Sequence, residues 1–129
     1  MMFSHVTIGI QDLSRAFVFY DAAPAPLGIQ RAPGTKYAGW ASWQRARHAE
    51  ASWVGKPQNG QPASHGNCWM VAFSAPSPTA VDAAYAAAIA AGGTDEGAPG
   101  PRPHFTPDYY GEYVRDPEGN KLHFVTRGI

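Results

Sequence analysis

Two stretches of the chain repeat one succession of patterns: a β-branched apolar run, then apolar positions at helical spacing. The first opens with VTIGI (6–10) and continues as DLSRAFVFYDAAPAPLG (12–28). Asp12 suits an N-cap, Leu13, Ala16, Phe17 and Tyr20 recur at helical spacing, and Gly28 suits a stop. Pro24 and Pro26 predict an end to regular helix near Ala22 or Ala23. The second opens with WMVAF (69–73) and continues as SPTAVDAAYAAAIAAGG (77–93). There Ser77 is the cap, Pro78 the first helical residue, and Gly92 and Gly93 the close.

The two stretches align without a gap at an offset of 65, with Val6 on Val71, Ile8 on Phe73, Asp12 on Ser77, Tyr20 on Tyr85 and Gly28 on Gly93. Agreement of helix start, core and stop marks an internal repeat. Strand-like material follows the first helix in QRAPGTK (30–36), YAGWASWQ (37–44) and AEASWVG (49–55). After the second helix come a loop rich in Gly and Pro (92–108), then DYYGEYVRD (108–116) and NKLHFV (120–125). The predicted fold is α+β, two β-α-β-β-β modules forming a curved mixed sheet around a cleft. Module one spans about 3–55 and module two about 68–126 of a single domain over 1–129, joined by the polar segment KPQNGQPASHGN (56–67).

Alternation along the strands sorts side chains between the helix side and the cleft. Val6, Ile8 and Ile10 take the helix side of the first strand, leaving His5 on the other face with Phe3, Thr7 and Gly9. In the last strand Leu122 and Phe124 take the helix side, and His123 faces the cleft with Lys121 and Val125. Two such histidines are either divalent-metal ligands through neutral imidazoles or polar residues on a solvated sheet face.

Charge narrows the partners. With 10 basic and 10 acidic residues and no run of either sign, the chain has no footprint for nucleic acid or an anionic membrane. No stretch approaches the ~20 apolar residues of a membrane span. The opening MMFSHVTIGI enters a strand pattern at once, without the regions of a signal peptide. The one cysteine, Cys68, fits a reducing cytoplasm and is expected to be a small core residue.

HVTIGIQDLSRAFVFYDAAPAPLGI, GNCWMVAF and YVRDPEGNKLHF together resemble the glyoxalase/bleomycin-resistance/extradiol-dioxygenase group, the vicinal oxygen chelate superfamily, over about residues 3 to 126. The resemblance implies one divalent metal (Zn, Ni, Mn or Fe) in a cup formed by both modules. Its ligands would be a histidine on the first strand, a histidine opening the second module, and a glutamate on the last strand. His5 matches the first. Met70 stands where the second histidine would be, and His123 where the glutamate would be. His65 lies five residues before Met70, too early for the strand ligand, and Glu50 is the candidate for an optional fourth ligand. A thioether is a poor ligand for these ions, so metal binding is expected to be weak or absent.

Loss of the glutamate also removes a general base for glyoxalase-like isomerisation. Glu112, set among Tyr109, Tyr110, Tyr113 and Val114, is the candidate replacement acid, or else an exposed strand residue paired with Arg115 or Lys121. Tyr110 shares its face and can donate a hydrogen bond to a ligand oxygen. Trp40 and Trp53 are candidate apolar walls beside Met70, or core and interface residues. Arg102, in the proline-rich loop, is a candidate partner for a ligand carboxylate or phosphate. Two functions follow. One is a metal-dependent lyase, isomerase or dioxygenase with a degenerate site, acting on a small oxygenated molecule. The other is a metal-free binder of small molecules, such as a drug-sequestering protein. The resemblance further implies a homodimer.

Overall fold

Both predicted helix starts form. An Asp12 carboxylate oxygen accepts from the Arg15 amide at 3.1 Å, and Ser77 Oγ accepts from the Ala80 amide at 3.1 Å. Each cap satisfies an amide that the helix leaves without an internal partner. The computed structural model describes residues 2–34 and 39–127, so the strand-like stretches 30–36 and 37–44 lie partly outside the described residues.

The first module runs β1 (His5–Gly9), α1 (Leu13–Ala22), a 3₁₀ turn (Ala25–Leu27), β2 (Gln30–Arg31), β3 (Trp40–Gln44) and β4 (Ala51–Gly55). The second runs β5 (Val71–Ser74), α2 (Pro78–Ala90), β6 (Thr94–Pro101), β7 (Tyr110–Arg115) and β8 (Lys121–Thr126). Each builds a four-stranded mixed sheet, in the orders β1-β4-β3-β2 and β5-β8-β7-β6. In both, the first strand lies parallel to the last, and the other pairs are antiparallel. The α+β fold of two like modules is therefore the one the repeat predicts.

Two local expectations are corrected. Residues 94–101, expected as loop, form the edge strand β6, with register shifts between Asp95 and Gly97 and between Gly97 and Gly100. An edge strand tolerates Pro99 and Pro101 because one row of its amides needs no ladder partner. Cys68, expected in the core, is exposed, on a left-handed backbone (φ 69°) just before β5.

One apolar core serves both modules. Phe19, Tyr20 and Trp43 from the first meet Val81, Ala84, Val114, Leu122 and Phe124 from the second. The buried face of α2 is Ala80, Val81, Ala84 and Ala88, whose small side chains let the helix lie close on its sheet.

The DPEGN turn clasps the modules together. Asp116 Oδ1 accepts from the amides of Glu118 and Asn120, as such a turn requires. Its other oxygen accepts from Tyr20 Oη of α1 at 2.7 Å and from Asn120 Nδ2, which also donates to the Gly9 carbonyl. Glu118 accepts from the amides of Gln11 and Asp12 at the start of α1. Among the described residues, no helix is long and apolar enough to cross a membrane.

Candidate functional site

β8 carries Leu122 and Phe124 into the core, so His123 is turned to the opposite, outer face of the second sheet. There it is only 1% exposed. Tyr113, its cross-strand neighbour, stacks on the imidazole with ring centroids 4.2 Å apart. Tyr109 lies beside the imidazole, near-parallel to it with centroids 5.7 Å apart, and packs in turn on Phe105. Gly111 makes room, since a Cβ there would come within 2.6 Å of the imidazole.

Both ring nitrogens are engaged. Nδ1 lies 2.7 Å from the Glu112 carbonyl, which can only accept, so Nδ1 carries the proton. Nε2 of the neutral ring is then the acceptor, and Tyr109 Oη donates to it at 2.7 Å. Burial holds the His123 pKa below its ordinary value, consistent with this neutral form.

Glu112 and Tyr110 point the other way. With Val114 they occupy the α2 side of β7, and Tyr110 Oη donates to Asp82 on α2 at 2.7 Å. That hydrogen bond to a carboxylate raises the Tyr110 pKa. Glu112 is fully buried. Its Oε1 accepts from the Phe124 amide at 2.9 Å, and its Oε2 has no partner among the described residues. Burial pushes its pKa up to about 8, against the opposing pull of the Phe124 amide. The candidate acid is thus a neutral carboxyl inside the module, separated by the sheet from the face that carries His123.

The other candidates are scattered. His5 is exposed on β1 of the first sheet, with Nδ1 2.8 Å from Ser4 Oγ. It lines an open groove of about 520 Å³ together with Phe3, His48, Ala51 and Trp53. Trp40 is half-buried, its ring lying where a Cβ on Gly55 would be. Met70 is half-buried at the entry to β5. Arg102 spends its guanidinium on the carbonyls of Ala98, Gly100 and Pro101. His65 packs beside Gly119 of the DPEGN turn.

These residues do not fit the divalent ion that the resemblance implies. Among the described residues, no three of His, Cys, Asp and Glu gather to hold a metal. Both His123 nitrogens are engaged within the chain, so neither offers a free lone pair.

A second concavity draws on both modules. This cavity, of about 280 Å³, is walled by Val6, Ile29, Trp43 and Ser52 from the first module and by Val71 and Phe73 from the second. His5, Gln44, Arg45, Glu50 and Ser74 add polar groups to its lining. Arg45 ties the two sides, donating to the carbonyls of Leu27 and Ser74. Trp43 Nε1 is already committed to Asp21 at 3.0 Å, whereas Ser52 Oγ is buried without a partner among the described residues.

Of this lining, the candidates named from the sequence included His5 and Glu50. Ser52 is legible in the sequence, since alternation with Val54 in ASWVG puts a serine on the apolar side of β4. Tyr109 is not, because its contact with His123 depends on the path of the 102–109 segment.

A family model described as the glyoxalase/bleomycin resistance protein/dioxygenase superfamily matches residues 2–124. No curated protein matches the chain. Among solved structures, the chain is similar to a glyoxalase/bleomycin resistance protein from Albidiferax ferrireducens T118, with 41% identity and a TM-score of 0.89, covering 98% of this chain and 100% of that one. It is also similar to a glyoxalase-related enzyme from Fulvimarina pelagi, at 20% identity and TM-score 0.74, over 98% and 88% of the two chains. TioX from Micromonospora sp. ML1 gives 18% identity and TM-score 0.64, over 96% and 94%. The last two likenesses concern the fold alone.

Proposed function

The chain belongs to the glyoxalase/bleomycin resistance protein/dioxygenase superfamily, and we propose that it acts there as a small-molecule binder that needs no divalent metal. The ligand enters the cavity between the modules. That cavity carries the proposal: it has apolar walls from β1, β3, β4 and β5 and a few polar groups, the usual make-up of a small-molecule site. Its volume of about 280 Å³ falls just below the roughly 300–1,000 Å³ typical of such sites, which suits a small ligand.

The internal bonding of His123 supports the metal-free half of the proposal. The competing function is a metal-dependent lyase, isomerase or dioxygenase using His5 and His123 near Met70. It requires the Tyr109 hydroxyl to leave Nε2 and a further strong ligand to arrive.

Metal analysis of tag-free protein purified without chelators separates the two, in parallel with the double variant His5→Ala, His123→Ala. Both proteins are expected to carry far less than one equivalent, even after incubation with Ni²⁺, Zn²⁺, Mn²⁺ or Fe²⁺. Near-stoichiometric metal in the wild type, lost in the double variant, overturns the proposal. A Met70→His variant that gains metal would identify Met70 as the reason for weak binding. The cavity is tested with Ala49→Trp, which puts an indole into its lining and is expected to abolish the backbone-amide NMR shifts that small apolar probes cause at residues 71–74.

A further inference from the structure

Resting on the cavity as the ligand site, we infer that its ligand is a small apolar molecule bearing a planar amide, primary or lactam, which pairs with the side chain of Gln44. The cavity opens at one end of the first sheet. There Gln44, Ala51 and His5 lie side by side across β3, β4 and β1, as the last row of the ladder. The next row, Trp43, Ser52 and Val6, alternates to the helix side and supplies the inner wall. The end row therefore stands at the mouth, with segment 45–50 beside it.

Few polar groups there are open to a ligand. The Trp43 N–H is held by Asp21, and the Ser52 hydroxyl is sealed within the wall. Arg45 donates to the carbonyls of Leu27 and Ser74. His5, Glu50 and Ser74 are exposed, so water competes for any hydrogen bond that they offer. Gln44 is half-buried, and its carboxamide forms no hydrogen bond among the described residues, whereas both its chain neighbours are committed.

A carboxamide presents an acceptor oxygen and donor N–H groups in one plane. Its full complement is a second amide with N–H and C=O on the same side, as in a primary amide or a lactam. A ketone meets only the donor. A carboxylate also only accepts, and it faces the negative Glu50 at the same mouth. The apolar body then lies against Val6, Ile29, Val71 and Phe73.

A matched series of probes tests this: benzamide, acetophenone, benzoate and toluene, titrated into the wild-type chain. Binding is followed by backbone-amide shifts at residues 71–74 and by the side-chain NH₂ signals of Gln44. Benzamide is expected to bind roughly 5-fold more tightly than acetophenone, the worth of one ordinary hydrogen bond, more tightly still than toluene, and to shift the Gln44 NH₂ signals. Gln44→Met keeps the length of the side chain and should bring benzamide and acetophenone down to the affinity of toluene, itself unchanged. Gln44→Glu, which can accept but not donate, should lower acetophenone to the level of toluene and leave benzamide above both. Benzoate or acetophenone binding as tightly as benzamide in the wild type, or a benzamide preference that survives Gln44→Met, overturns the inference while leaving the cavity as the binding site. If none of the four probes shifts residues 71–74, the cavity is not the ligand site, and both proposals fall.

Discussion

The Tyr109 hydroxyl donates to His123 Nε2 at 2.7 Å, and the same tyrosine ring shields the imidazole from water. In this superfamily chain, the residue standing in place of the expected glutamate ligand therefore has a partner inside its own module. The opposite nitrogen is fixed by the Glu112 carbonyl, so tautomer and ring orientation are both determined by neighbours on β7 and the segment before it.

Replacing Tyr109 separates cover from hydrogen bond. Tyr109→Phe keeps the ring and removes one partly buried hydrogen bond, which should cost about 1 kcal/mol in urea unfolding. Tyr109→Ala also removes the cover. Because burial is the main cause of the lowered His123 pKa, that pKa should rise toward the ordinary histidine value in a histidine-resolved NMR titration. An unchanged titration would show that Tyr109 is not what buries the ring.

Glu112 makes stability fall as pH rises. Its folded pKa of about 8 lies above the ordinary glutamate value of 4.5, so between those values the folded chain holds a proton that the unfolded chain has released. Raising the pH through that window favours the unfolded state, and the contribution is lost once pH passes about 8. His123 has the opposite sign: its lowered pKa means that stability falls as pH drops below about 6.5. Glu112→Gln should be no more stable than wild type near pH 5 and more stable near pH 9. Thermal unfolding at the two pH values checks it, and parallel profiles would refute the assignment.

The apolar side chains of Phe3 (64% exposed) and Trp69 (55% exposed) suit burial against a second copy of the chain. A homodimer is the expected state in light scattering at working concentration. Phe3→Ser with Trp69→Ser should shift it toward monomer without changing the far-ultraviolet circular dichroism. A wild-type monomer would refute the expectation.

The fold was legible because each module states its helix with a cap, a periodic core and a stop. Asp12 and Ser77 both cap in the structure, and Leu122 and Phe124 both reach the core. β6 was hidden because glycine and proline read as loop even where an edge strand accommodates them with bulges. Alternation puts His123 on the face away from the helices, expected to be a cleft, but periodicity carries no information about what covers a face. Tyr109 reaches His123 from 14 residues away, across the segment that follows β6. Glu112 shows the converse. Its face is readable from Val114, yet neither a site acid nor an exposed partner of Arg115 or Lys121 results, because Glu112 is buried and burial keeps it neutral.

Tyr20 and Asp116 hold distant parts of the chain together, and their pairing should be measurable as coupling. The two are 96 residues apart in sequence, and their 2.7 Å hydrogen bond is buried. Burial and the adjacent carboxylate raise the Tyr20 pKa well above its ordinary value, so the phenol stays a donor at any ordinary pH. Tyr20→Phe leaves Asp116 three other donors, from the Glu118 amide and from the Asn120 amide and side chain. It should cost about 1–3 kcal/mol. Asp116→Ala leaves the Tyr20 hydroxyl and those turn donors without their acceptor, and should cost about 3 kcal/mol or more. In a double-mutant cycle by urea unfolding, the two changes should cost less together than their sum, by about 1 kcal/mol or more. Strict additivity would mean that the DPEGN turn holds module one through Glu118 and Asn120 alone.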